Sequence, residues 1–138
     1  MGLTVLDAGV VIGWMDDTDA HHGVVTAALS ESRARGDYLV LPASALAEAM
    51  VGPARRGREA VETATALLGS VPVETVPVDG KVAIETAALR ASMGTRLRLP
   101  DAMVVATAIV LDADRLVTTD RHWPFAATLG FEGELLVI

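Results

Sequence analysis

Residues 99 to 120 constrain the fold more than any other stretch of this chain. Leu99-Pro100-Asp101 leads into an apolar run from Ala102 to Leu111 that only Thr107 interrupts. Apolar residues face every side of a helix built on this run, so the helix from Pro100 to Leu111 has to be buried. A run of this length is too short to cross a bilayer, which takes roughly 20 residues. Asp112-Ala113-Asp114 makes a turn, Leu116-Val117-Thr118 reads as a buried strand, and Asp120 follows it. A helix antiparallel to the next strand brings its own start back beside that strand's end. Asp101 and Asp120 are therefore expected side by side.

The rest of the chain repeats the alternation. Residues 3 to 6 read as a strand ended by Asp7, and Val10-Val11-Ile12 as a short helix after a tight turn. Asp16 to Asp19 can cap a helix from about Ala20 to Arg35, with Gly36 placed to stop it. Tyr38 to Leu41 is a second strand, and Pro42 suits the start of a helix to about Met50. Gly52-Pro53 reads as a break before a helix over 54 to 68, with Gly69 as its stop. Val71 to Val76 is a third strand, and Pro72 assigns it to a sheet edge. Asp79 can cap a helix to about Met93, and Leu135 to Ile138 is a fifth strand. Strands alternating with helices predict an α/β fold: a three-layer α/β/α sandwich on a mainly parallel five-stranded sheet, in one domain spanning residues 1 to 138.

Composition narrows the function. With 51% hydrophobic but only 4% aromatic residues, the core has to be aliphatic. The chain has no cysteine, which excludes thiolate metal sites and disulfides and fits a reducing compartment. No secretory leader pattern opens it, so a cytoplasmic location without membrane attachment is expected. The net charge of −7 opposes nucleic-acid binding through the overall field. That objection weakens if the acids are gathered around cations. Ten of the 11 basic residues are Arg, which suits bidentate phosphate contacts. Arg55, Arg56 and Arg58 sit together at the expected start of the 54 to 68 helix, where a cation is disfavoured. His21 and His22 point about 100° apart on a helix and cannot share one metal.

Four acids stand out by position. In a parallel sheet, the C-terminal ends of strands and the N-termini of the helices that follow share one edge, where ligands gather. Asp7, Asp101 and Asp120 converge there. Glu48, the one acid of its helix, joins them if that helix leans across the edge. Carboxylates packed together repel, and hard divalent cations relieve the repulsion. Metals held by such a set lower the pKa of a bound water and stabilise a leaving oxygen, the chemistry of phosphodiester hydrolysis. No phosphate-binding glycine loop and no Ser–His–Asp arrangement competes with this reading.

The segments carrying these acids resemble the PIN-domain family, and within it the VapC-type toxins of toxin–antitoxin pairs. The resemblance rests on Leu6-Asp7-Ala8-Gly9-Val10-Val11-Ile12, Ala45-Leu46-Ala47-Glu48, Leu97 to Ala108, and Leu116-Val117-Thr118-Thr119-Asp120. It implies that Asp7, Glu48, Asp101 and Asp120 form an acidic quartet that binds magnesium or manganese and cleaves RNA. Thr118 matches a supporting hydroxyl, and Trp123 stands where an aromatic such as Phe is common. Gly9 departs from the pattern, which often has Ser, Thr or Asn there to help hold the site. The resemblance also implies a homodimer in a bacterial or archaeal cytoplasm, and a small antitoxin whose C-terminal arm blocks the active site.

The leading expectation is a metal-dependent endoribonuclease acting as a growth-inhibiting toxin. Arg55, Arg56, Arg58, Arg96, Arg98 and Arg121 are candidate contacts to RNA phosphates. Two other classes compete. A catalytically inactive binding module of the same fold is suggested only by Gly9. A magnesium-binding receiver domain would want paired acids after the first strand and a Lys near the last, and the one Lys here is Lys81.

Overall fold

The computed structural model describes residues 2–138. Five strands form one sheet: β1 (Leu3–Leu6), β2 (Tyr38–Pro42), β3 (Val73–Val76), β4 (Arg115–Thr118) and β5 (Glu134–Val137). Their order is β3-β2-β1-β4-β5, and every pairing is parallel. The expected sandwich is therefore present, with a sheet that is parallel throughout. From β1 the chain builds outward through β2 to β3, then returns to add β4 and β5 on the other side. The order reverses between β1 and β4, and a crevice opens at such a switch point, beyond the carboxyl ends of the strands. Asp7 and Asp120 flank it.

The helices are α1 (Ala8–Met15), α2 (His22–Ala34), α3 (Ala43–Ala49), α4 (Val51–Arg56), α5 (Arg58–Ser70), α6 (Gly80–Met93), α7 (Leu99–Val110) and α8 (Ala126–Leu129). Helix α7 packs against β1, β2 and β4, with α6 laid along it. Its Ala102, Val104, Val105, Ala106 and Ala108 are buried, as its unbroken apolar sequence requires. Small residues let its backbone approach the sheet closely. Helix α3 packs against both α1 and α7, and this brings Glu48 over the crevice. No helix among the described residues is long and apolar enough to cross a membrane.

Several boundaries differ from expectation for identifiable reasons. Gly52-Pro53 does not break the chain but lies in the first turn of α4. Backbone N–H groups there have no helical partner, so proline loses nothing. The break falls instead at Gly57, whose φ of 116° is open to glycine alone. Arg55 and Arg56 therefore end α4, where the helix dipole favours cations, rather than opening a longer helix. Gly69 lies inside α5, which runs to Ser70. Asp19 accepts from the His21 N–H at 2.8 Å but does not cap α2, whose first flanking residue is His21. Asp79 does cap α6, accepting from Val82 N at 3.0 Å. The edge assignment of β3 holds, with Pro72 just before the strand. Short α8 had no sequence signal.

Leu116 on β4 is fully buried, whereas Leu111 just after α7 is 38% exposed. Leu116→Ala is expected to cost about 2–5 kcal/mol of stability, and Leu111→Ala well under half of that. Urea unfolding of the two variants checks the assignment of the core; equal losses would contradict it.

Candidate metal centre at the carboxyl edge of the sheet

Asp7 is the most buried of the four acids, only 8% exposed. Its backbone N–H donates to Val117 O at 2.9 Å, extending the ladder between β1 and β4 by one bond. Its side chain then caps α1, Oδ1 accepting from Ala8 N at 2.8 Å. The cap uses only this oxygen, and Oδ2 points elsewhere. Thr118 Oγ1 donates to that oxygen at 2.7 Å. The same hydroxyl accepts from Asp120 N at 3.1 Å. One fully buried threonine therefore ties together the two acids that flank the switch point.

Asp101 stands in the first turn of α7, where the helix dipole favours a carboxylate. Arg98 Nε lies 3.7 Å from its Oδ2. Trp123, in the loop after Asp120, turns its indole N–H toward Asp101, near enough to act on the carboxylate. It does not reach bonding geometry, and Nε1 is buried without a hydrogen-bond partner. Glu48 sits exposed in the last turn of α3, where the dipole disfavours an acid, so local helix stability does not account for it. Asp120 Oδ1 accepts from His122 N at 2.8 Å.

The acids feel one another. Burial, and then the charges of Asp101 and Glu48, push the Asp7 carboxyl up to about 6. Hydrogen bonds from Thr118 and Ala8 oppose that rise without cancelling it. Burial and the charge of Asp101 raise Glu48. Burial raises Asp101, Arg98 pulls it back down, and Asp120 raises it further. Asp101 thus acts on, or is acted on by, each of the other three. Asp7 has no cationic partner among the described residues. A buried carboxylate without a counter-charge, beside further carboxylates, is a donor set of oxygen atoms only. This fits a hard divalent cation such as magnesium or manganese. Among the described residues, no three acidic or histidine side chains close into a complete metal-binding group.

Gly9 proves to be part of the packing. A Cβ on Gly9 would collide with Thr119 Oγ1, so the hydroxyl of Thr119 already occupies the space a side chain at position 9 would take. Thr119 was not among the expected site residues, because nothing in its sequence position shows that its side chain reaches α1. Of the arginines, Arg98 pairs with Asp101, and Arg121 directly follows Asp120. Arg56 lines a cleft that also touches Glu48. Arg55, Arg58 and Arg96 are exposed, and no contact ties them to the carboxylates.

The fold is parallel α/β with acids converging on its switch point, and comparison with known proteins assigns it to a family. The PIN domain family matches residues 4–128, so the chain belongs to the PIN domain family. Comparison with curated proteins gives no match. Among solved structures, VapBC2 from Rickettsia felis bound to a DNA fragment from its promoter is similar at 16% identity. It has a TM-score of 0.69 over 86% of this chain and 87% of that one. VapBC-5 from Mycobacterium tuberculosis aligns over 100% of both chains at 23% identity and a TM-score of 0.63. VapC20 from Mycobacterium tuberculosis, a toxin that cleaves the sarcin–ricin loop, aligns at 18% identity and a TM-score of 0.64. That alignment covers 82% of this chain and 86% of that one. At these identities the likeness shows the fold.

Two outcomes follow from the geometry. Between the ordinary Asp value of 3.8 and about 6, the folded chain holds a proton on Asp7 that the unfolded chain has lost. Stability therefore falls as pH rises through this window, by about 3 kcal/mol from Asp7 alone. Raised Glu48 and Asp101 act in the same direction. Urea unfolding in a chelator is expected to give a more stable protein at pH 5 than at pH 7.5, and Asp7→Asn to reduce the difference. Equal stability of the unmodified protein at both values would contradict the burial of Asp7. Separately, Gly9→Ala has to turn the Thr119 hydroxyl out of its place and is expected to cost about 0.5–1.5 kcal/mol. In a Thr119→Ala background the obstruction is gone, and the same change is expected to stabilise by up to about 1 kcal/mol through helix propensity. Thermal melts of the single and double variants read this reversal of sign.

Proposed function

We propose that this chain is a metal-dependent endoribonuclease and the toxin of a toxin–antitoxin pair. The observation that carries the reading is the buried, uncompensated Asp7 carboxylate, raised to about 6 and coupled to Asp101 and Glu48 at the switch point. Membership of the PIN domain family supports it, as does the likeness to toxins such as the one that cleaves the sarcin–ricin loop.

Asp7 and Asp101 would be the principal ligands of magnesium or manganese, with Glu48 and Asp120 completing the set. When bound, the ion supplies a water of lowered pKa and charge to stabilise a phosphate oxygen. Thr118 fixes the Asp7 oxygen that the α1 cap leaves free and, through Asp120 N, the backbone that carries Asp120. Glu48, exposed and raised, is placed at the open side to orient the attacking water. Arg98, whose side chain is 77% exposed, can leave Asp101 to meet an incoming phosphate. Arg55, Arg96 and Arg121 are further candidates for the RNA backbone, and Arg56 for another contact to the RNA. The reading includes a homodimer, and a cognate antitoxin as the partner that holds the nuclease silent.

The decisive test replaces Asp101 by Asn, which keeps size and removes charge. RNA cleavage with manganese is expected to fall by more than ~100-fold, beyond what loss of an outer-sphere partner costs. Growth inhibition on induction should disappear with it, while circular dichroism stays unchanged. A folded Asp101→Asn protein that cleaves RNA at the unmodified rate would overturn the assignment.

A further inference from the structure

A cleft of about 360 Å³ opens beside Glu48, lined by none of Asp7, Asp101 and Asp120. Its floor is apolar: Ile12 and Met15 from α1, and Pro53 from α4. Glu48 stands on its wall, so the cleft is continuous with the acid cluster. Arg56, Asp16 and Asp17 border it as well, so one cation stands among three carboxylates. Its volume lies within the range of small-molecule sites, in which a few polar groups are set over an apolar lining.

Among the polar groups of this cleft, Arg56 and Asp16 have bonding capacity left on adjoining elements. Arg56 makes no ion pair or hydrogen bond among the described residues. Its guanidinium lies along Gly52, with Nη1 3.7 Å from where a Cβ would stand, so the missing side chain gives it room. Asp16 gives one oxygen to its own turn, Oδ1 accepting from Thr18 N at 2.9 Å and Thr18 Oγ1 at 2.6 Å. Its other oxygen is unengaged. Arg56 is near enough to Asp16 to help hold that carboxyl below its ordinary range, after the stronger effect of Thr18. A fork of donors and a free acceptor therefore line the same cleft as the aliphatic Ile12, Met15 and Pro53. The face of a nucleobase is apolar and polarisable, and its edge mixes acceptors with N–H donors.

We propose that this cleft is a base-selective subsite, which takes the unpaired base of the nucleotide next to the scissile phosphate. The proposal rests on the ribonuclease reading and adds to it where sequence preference originates. With the phosphate at the carboxylates, the adjoining nucleoside is directed past Glu48 into the cleft. There, Ile12 and Met15 cover the base face while Arg56 and Asp16 meet its edge. RNA recognition of this kind reads splayed, single-stranded bases.

The test uses a short RNA with randomised sequence, manganese, and sequencing of the new ends. Two variants address the cleft without touching the four acids: Arg56→Ala removes the donors, and Gly52→Leu fills the space. The unmodified protein is expected to favour one base at one position flanking the cut by roughly tenfold, the scale of a bidentate base contact. Both variants should flatten that preference and raise KM, while calorimetry shows manganese affinity unchanged within about twofold. A profile that both variants leave intact overturns the subsite and leaves the nuclease reading standing, as does a flat profile from the unmodified protein. Manganese binding without any RNA cleavage removes the nuclease reading, and the subsite with it.

Discussion

The hydroxyl of Thr118 is the contact on which this site depends. It is fully buried, donates to Asp7 and accepts from Asp120 N. A buried carboxylate without hydrogen bonds is expensive. Here the backbone of α1 satisfies one oxygen, and a side chain 111 residues away satisfies the other. The β1–β4 pairing delivers both groups, since Leu6 stands opposite Val117 and the next residue on each strand is Asp7 or Thr118. Strand register, rather than any loop, sets the position of the innermost acid.

The remaining acids are arranged around that fixed point with decreasing burial. Asp7 is buried, Asp101 and Asp120 are partly covered, and Glu48 is exposed. The helix termini divide unevenly: Asp7 and Asp101 gain from the dipoles of α1 and α7, while Glu48 stands at the unfavourable end of α3. Such a cluster does not serve the stability of the chain by itself. Each raised carboxyl marks free energy that the folded protein loses on ionisation and that a bound divalent cation would return. The same reasoning answers the acidic net charge. Four of the negative charges lie where cations would neutralise them, so the overall field is a poor guide to what approaches the crevice.

Much of this was legible in sequence because it depends on chain direction. Apolar strands ending in Asp7 and Asp120, and a helix with no polar face starting at Asp101, leave little freedom in a parallel sheet. Glu48 was legible only as a condition, since α3 packing on α1 and α7 is a tertiary fact. The Gly52-Pro53 pair misled because a strong breaker signal says nothing about its position within a turn. Three residues into α4, proline is harmless. Gly57, which does separate α4 from α5, is bracketed by Arg56 and Arg58 and gave no such warning. Gly9 showed the reverse. By itself it looks like a lost support, yet Thr119 fills its space from the far end of the chain. Side-chain exchanges of this kind join distant positions and leave no periodicity to read.

The Gly9–Thr119 exchange also bears on how rigid the site can be. A side chain rooted on α1 at position 9 would move with Asp7, because both belong to the same helix start. A hydroxyl rooted at Thr119 moves instead with β4, between Thr118 and Asp120. The side chain that fills this space is thereby carried by the residue after β4, next to the bridging hydroxyl, and not by the helix. Three successive residues, Thr118, Thr119 and Asp120, now make the contacts that elsewhere could be shared between two elements. Any displacement of β4 against β1 would disturb all of them at once. The central pairing of the sheet, which fully buried Val5 and Leu116 pack into the core, is thus also the element whose precision the carboxylates require.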